Sequence, residues 1–183
     1  MNAFRSGSNS SCTSSSGPAA SAGSSRDPIE RPRVPRYRRT FIFECVLPVV
    51  RYEEIEHTAD VGIRAYGSSL DELFANAAEG MFSLIADLDS VKEVGEIEVR
   101  LEADDIPTLL LRWLSELLYL HETQRLLFTS FDVQVDGTSL RGRARGEAID
   151  KKRHELKLAM KAVTRHRLSV DPARGTAEVI FDI

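Results

Sequence analysis

Apolar side chains recur at spacings of three and four from Leu70 through Leu73, Phe74, Ala77, Ala78, Met81, Leu84 and Ile85. That period lays one stripe along a helix and predicts an amphipathic helix reaching about Asp87. Ser69-Leu70-Asp71-Glu72 matches a capping box at its start: Ser69 accepts from the Glu72 amide, and the Glu72 carboxylate reaches back. A second stripe, Leu109, Leu110, Trp113, Leu114, Leu117, Leu118 and Leu120, predicts a helix lying across the centre of the sheet. Asp105 caps it, and Pro107 falls in the first turn, where its missing N–H is harmless. Elsewhere the period is two. Ile97, Val99, Leu101 and Ala103 alternate with Glu96, Glu98, Arg100 and Glu102, as in a half-buried strand. Tyr52–His57 and Val61–Tyr66 read as strands flanking Thr58-Ala59-Asp60. Phe128, Phe131, Val133 and Val135 lead to an Asp136-Gly137 hairpin turn. Leu140–Ala148 returns, with Gly142, Ala144 and Gly146 on one face signalling close approach of a helix. Leu156–Thr164, Leu168–Val170 and Ala177–Ile183 complete the strands. The expected fold is α+β: two helices packed on one mostly antiparallel, hairpin-rich β-sheet of seven or eight strands.

Residues 1–51 break this pattern. The first 25 contain ten serines and only two large apolar side chains, Met1 and Phe4, and residues 26–39 are rich in Arg and Pro. Such a stretch buries too little apolar surface to offset its ordering entropy. Eight arginines against Asp27, Glu30 and Glu44 give it a net +5. Of 24 basic and 28 acidic residues in all, 16 and 25 remain for residues 52–183, a net of −9. We read 1–51 as a disordered tail or an over-long start, with Thr40–Val50 as one apolar stretch that could add an edge strand. An organellar transit peptide is the alternative, weakened by the missing amphipathic period.

Composition excludes several classes of function. Cys12 and Cys45 are the only cysteines, so there is no disulfide framework or zinc set, and a reducing, cytoplasmic setting is expected. No apolar run approaches the length of a membrane span. An acidic body argues against gripping nucleic acid by bulk charge. The chain contains no GxxxxGK, GxGxxG, GxSxG or HExxH signature. His57, His121, His154 and His166 form no recognisable ligand set. Two features stand out. One is His57-Thr58-Ala59-Asp60 between two strands, which read alone is a turn aspartate bonded to nearby amides. The other is Val179-Ile180-Phe181-Asp182-Ile183, an apolar strand finishing on hard oxygen groups. Joined by Asp60, those oxygens would suit Ca²⁺ or Mg²⁺ with water in the remaining positions.

Tyr52-Glu53, His57-Thr58-Ala59-Asp60-Val61, Ala65-Tyr66-Gly67, Leu70-Asp71-Glu72-Leu73-Phe74 and Trp113-Leu114-Ser115-Glu116-Leu117-Leu118-Tyr119 are followed by Gly146-Glu147, His154, Lys161-Ala162-Val163-Thr164 and Asp182-Ile183. In this order and spacing, residues 52–183 resemble the archease family. Ser115, where the family often has Asn, and Arg165, where Tyr is usual, depart from its pattern. The resemblance implies a metal site at Asp60, Asp182 and Ile183, the last through terminal or main-chain oxygens. It also implies a non-catalytic role: activation of an RtcB-type RNA ligase, which uses GTP and joins RNA ends in tRNA splicing. tRNA would then be met indirectly, through the ligase. His57, Lys161, Glu147 and His154 are candidates for contact with the partner.

Arg141, Arg143 and Arg145 share one strand face and precede Lys151-Lys152-Arg153. They can be read as a basic stripe for RNA or the ligase, or as charges that keep a sheet edge from pairing. The second explanation is preferred. Two alternatives to the activator are an RNA-binding or chaperone-like module acting on tRNA, and a metal-dependent phosphohydrolase.

Overall fold

A computed structural model describes residues 50–56 and 61–183, together with a two-residue strand, β1 (Arg5–Ser6). Contacts divide the chain into Met1–Gly7 with Val50–Ile183, which holds every described element, and Ser8–Val49. The expectations for the N-terminal tail, including a strand within Thr40–Val50, fall outside the described residues, Val50 excepted.

The observed order is β2 (Tyr52–Glu56), β3 (Val61–Tyr66), α1 (Leu70–Ile85), β4 (Gly95–Glu102), α2 (Ile106–Gln124), β5 (Leu126–Asp136), β6 (Ser139–Ala148), β7 (Ala162–Val163), β8 (Ser169–Asp171) and β9 (Thr176–Asp182). The fold is α+β, and all strand pairing is antiparallel. The strands form two sheets rather than one. β1-β4-β6-β5 make the first and β2-β3-β9-β7 the second, with β8 also on β9. α1 touches β3 and β5, and α2 touches β4, β5 and β6 as well as β7 and β8, so each helix meets both sheets. One apolar core results, drawing Ile63, Val179 and Phe181 from one sheet and Val99, Phe128 and Ala144 from the other.

Both helix starts follow the sequence. The Thr108 N–H donates to Asp105 Oδ1 at 2.7 Å. The Glu72 N–H donates to Ser69 Oγ at 3.2 Å, but the Glu72 carboxylate reaches Ser68, accepting its N–H at 2.8 Å, instead of Ser69. α1 stops at Ile85 because Ala86 turns extended and bridges Leu156. α2 crosses β6, a central strand of its sheet, as expected. Trp113 is fully buried, and a Cβ built on Gly142 would stand 2.5 Å from its ring. Gly146 is small for a different reason. A Cβ there would run into the Leu127 carbonyl of β5, beside the bulge between Phe128 and Ser130.

The expected strand Leu156–Thr164 reduces to Ala162–Val163 plus the isolated Leu156 bridge. The Lys157 N–H donates to Ile85 O and the Lys161 N–H to Asp182 O, both at 2.8 Å. The segment therefore passes from the end of α1 to the end of β9. A strap joining two different elements cannot build one continuous ladder.

The arginine face also differs from expectation. β6 is flanked by β4 and β5, so it has no edge to protect. Nor is the face a free basic stripe. Arg145 pairs with Glu96 at 2.8 Å, Arg141 with Glu98 at 3.2 Å and Arg143 with Asp132 at 3.6 Å. Exposed cross-strand pairs of this kind contribute about 0.2–1 kcal/mol each. Arg143→Ala should therefore lower stability by less than about 1 kcal/mol in urea unfolding.

Candidate functional site

The second sheet gathers the end of the chain. β9 lies between β3 and β7, with Val61 opposite Phe181 and Ala162 opposite Asp182. Lys161, just ahead of β7, donates its main-chain N–H to Asp182 O at 2.8 Å and its Nζ to Ile183 O at 2.9 Å. Asp182, Ile183 and Lys161 thus meet at one exposed end of this sheet. His57 and Asp60 lie outside the described residues; Val61, the covalent neighbour of Asp60, is the β3 residue facing Phe181. Among the described residues no three His, Cys, Asp or Glu side chains gather to hold a metal. Asp182 and Ile183 present hard oxygens, the donor class that suits Ca²⁺ or Mg²⁺. A carboxylate has lone pairs enough to accept from an ammonium and bind a cation at once.

The register of this sheet is secured by a row of charges across β2, β3 and β9. Arg64 Nη1 donates to Glu53 at 2.8 Å and Nε to Glu178 at 2.8 Å, while the Tyr66 hydroxyl donates to Glu53 at 2.7 Å. The Tyr66 hydroxyl, and then Arg64, hold the Glu53 carboxyl below its usual range. Nothing in the one-dimensional pattern marks this row, because its members are 11 and 114 positions apart.

Glu147 and His154 come together elsewhere, as an internal clasp. Both are buried. Glu147 accepts from Arg153 Nη1 at 3.0 Å and Nη2 at 2.7 Å, and from the Lys92 N–H at 2.8 Å. His154 Nδ1 accepts the Asp150 N–H at 3.0 Å, which leaves its Nε2–H to donate to Glu147 Oε1 at 3.2 Å. Buried polar groups satisfied in this way lock the end of β6 and the 150–154 turn to the segment that leads into β4. Among the described residues, no hydrogen bond or ion pair joins this clasp to Lys161, Asp182 or Ile183. Arg153, the central partner of Glu147, carries no signal in the sequence that singles it out; only folding reveals its bidentate geometry.

Arg153 chiefly, with help from Lys92 and His154, holds the Glu147 carboxyl down at about 2. A carboxyl depressed on folding stabilises above its unfolded pKa and loses that contribution as pH falls through the folded one. The clasp should therefore weaken between about pH 4.5 and about 2. Glu147→Gln should lower stability at pH 7 by about 1–2 kcal/mol, as when a buried acceptor of charged hydrogen bonds is weakened while its partner Arg153 stays exposed and paired with Asp150. It should also flatten the acid limb of the stability curve, read by thermal unfolding across that range. An unchanged limb would show that the clasp does not control it.

The chain is thus an antiparallel α+β domain whose last strand ends on the exposed oxygen groups of Asp182 and Ile183. Residues 52–183 match the model of the Archease protein family (MTH1598/TM1083), and the chain belongs to the archease family. The protein archease of Pyrococcus furiosus is 37% identical over 140 residues, 73% of this chain and 99% of the relative. That of Saccharolobus islandicus is 42% identical over 132 residues, 71% of this chain and 95% of the relative. The solution structure of Methanobacterium thermoautotrophicum protein 1598 superposes with a TM-score of 0.66 at 38% identity, covering 74% of this chain and all of that one. No helix among the described residues is long and apolar enough to cross a membrane.

Proposed function

We propose that this chain is a non-catalytic activator of a GTP-dependent, RtcB-type RNA ligase, promoting guanylylation and repeated turnover of the ligase in tRNA splicing. Family membership supports the reading. The observation that carries it is the convergence of Lys161, Asp182 and Ile183 at the end of β9. Asp60, the Asp182 carboxylate and the main-chain or terminal oxygens of Ile183 would hold a divalent cation, Ca²⁺ or Mg²⁺. Such an ion, when bound, supplies charge to neutralise phosphate oxygens. Lys161 orients the Ile183 oxygen and offsets part of the negative charge. Nucleotidyl transfer depends on correctly placed phosphates and metals, so an ordered acid end presented to the ligase would accelerate it through positioning. The proposed setting is the cytoplasm, with GTP used by the ligase and tRNA met through it. The test is multiple-turnover ligation by the cognate ligase with and without this chain. Added chain should raise product well beyond one ligation per ligase molecule, and equal yields would end the proposal.

A further inference from the structure

The outer edge of β4 is covered over only part of its length. On its inner side β4 pairs with β6, and the Ala103 N–H continues that register by donating to Thr138 O at 3.0 Å. Main-chain groups alternate in direction along a strand. The odd-numbered residues of β4 therefore bond to β6, while Glu96, Glu98, Arg100 and Glu102 turn their main-chain groups outward. At one end of the outer edge β1 lies antiparallel, with Arg5 opposite Glu96 and Ser6 opposite Gly95. At the other end Arg112 of α2 donates Nη1 to Glu102 O. Among the described residues no further strand lies beside the stretch between them. Around Arg100 the edge borders a cavity of about 700 Å³, lined also by Glu102, Arg112 and Asp136, so an added strand has room to run on.

Such an edge accepts an extended segment by main-chain bonding, and alternate side chains set the register. The residues that precede β1 fit this one. Continued from Arg5 opposite Glu96, the same register would set Phe4 opposite Ile97, Ala3 opposite Glu98 and Asn2 opposite Val99. Opposed positions share one face of a sheet. A basic position is thereby matched to Glu96 on the charged face, and an aromatic one to buried Ile97 on the core face. A slip of one residue would exchange the faces and set Phe4 against Glu96 or Glu98. Phe4 and Met1 are the only large apolar side chains of the first 25 residues, so the match is not a general property of the tail.

We propose that the outer edge of β4 is a strand-addition site whose occupant is the N-terminal segment of the same chain, residues 2–6 running antiparallel to β4 as far as Val99. A tethered occupant meets its site at a higher effective concentration than a free peptide of the same sequence. Covering the edge also removes a template on which a second copy of the chain could pair. The segment precedes the family match at residues 52–183, and the proposal is independent of the ligase reading.

The experiment is amide hydrogen exchange of the full chain, read residue by residue. In the parent the Glu96 and Glu98 N–H groups should be protected, since this register pairs them with Arg5 O and Ala3 O. Ala3→Pro and Arg5→Pro each remove a main-chain N–H that faces β4, and each should speed exchange at Glu98 by about tenfold or more. Asn2→Pro removes one that faces away and should change that rate by less than about twofold. The Ile97 and Val99 N–H groups, bonded to β6, should keep their rates in every variant, which reports an intact sheet. A second measurement fixes the register. With Cys12 and Cys45 replaced by Ser, Asn2→Cys/Val99→Cys should oxidise to an intrachain disulfide, whereas Asn2→Cys/Leu101→Cys, two residues out of register, should not. Exchange at Glu98 in the parent as fast as in an open strand would overturn the proposal, as would protection that survives both Ala3→Pro and Arg5→Pro. Equal cross-linking of the two cysteine pairs would overturn it too. Protection that rises with protein concentration would assign the edge to a second copy and overturn it as well.

Discussion

Asp182→Ala should cut the stimulation of ligase guanylylation at least tenfold while leaving the domain folded. The Asp182 side chain is exposed, and its carboxylate makes no hydrogen bond or ion pair among the described residues. Its removal should therefore move stability by no more than about 0.5 kcal/mol. A divalent site, in contrast, depends on each of its charged oxygens. Asp60→Ala should behave alike, as should residues added after Ile183, which would displace the oxygen that Lys161 holds at 2.9 Å. A second readout needs no ligase. A cation that binds only the folded state raises its stability by mass action. Ca²⁺ or Mg²⁺ should thus raise the melting temperature of the parent, chelator should reverse the rise, and Asp182→Ala should not respond. Full stimulation by all three variants would remove the acid end from the mechanism.

Trp113→Ala should be the most damaging single change in the core. Trp113 is fully buried, its Nε1 donates to Phe74 O at 3.3 Å, and its ring lies against Gly142. Loss of such a side chain costs about 3–5 kcal/mol, a large part of the roughly 5–15 kcal/mol that holds a domain together. Gly142→Ala should also destabilise, by about 1–3 kcal/mol, through overpacking, because the new methyl would sit 2.5 Å from the ring. The two effects share one space and should not add. In Trp113→Leu, Gly142→Ala should cost less than in the parent, and a double-mutant cycle in denaturant measures the difference. Simple additivity would show that the ring and the strand are not in contact.

Much of this architecture is legible in the chain. The stripes from Leu70 to Ile85 and from Leu109 to Leu120 are helices because apolar residues at that spacing share one face. Asp105 is a cap because its side chain bonds three residues ahead. The small residue at Gly142 announces the approach of α2. These are local or periodic signals, each confined to one element. The carboxylates at the chain end and the family motifs likewise mark the candidate oxygen groups within the sequence itself.

Folding alone decides which elements meet. Periodicity states which face of a strand is buried and not which strand lies beside it, so one sheet and two sheets read the same along the chain. Arg141, Arg143 and Arg145 resemble a free basic stripe until Glu96, Glu98 and Asp132 arrive from neighbouring strands. Glu147 and His154 find each other, Arg153 and the Lys92 amide only in the folded chain. Lys161 gains its role only where β7 and β9 pair, which brings its ammonium to Ile183. The sequence by itself determined the helices, most of the strands, the family and the chemical nature of the candidate groups. The tertiary structure decided their company, because charge pairing and burial depend on distance in space, and distance along the chain does not encode it.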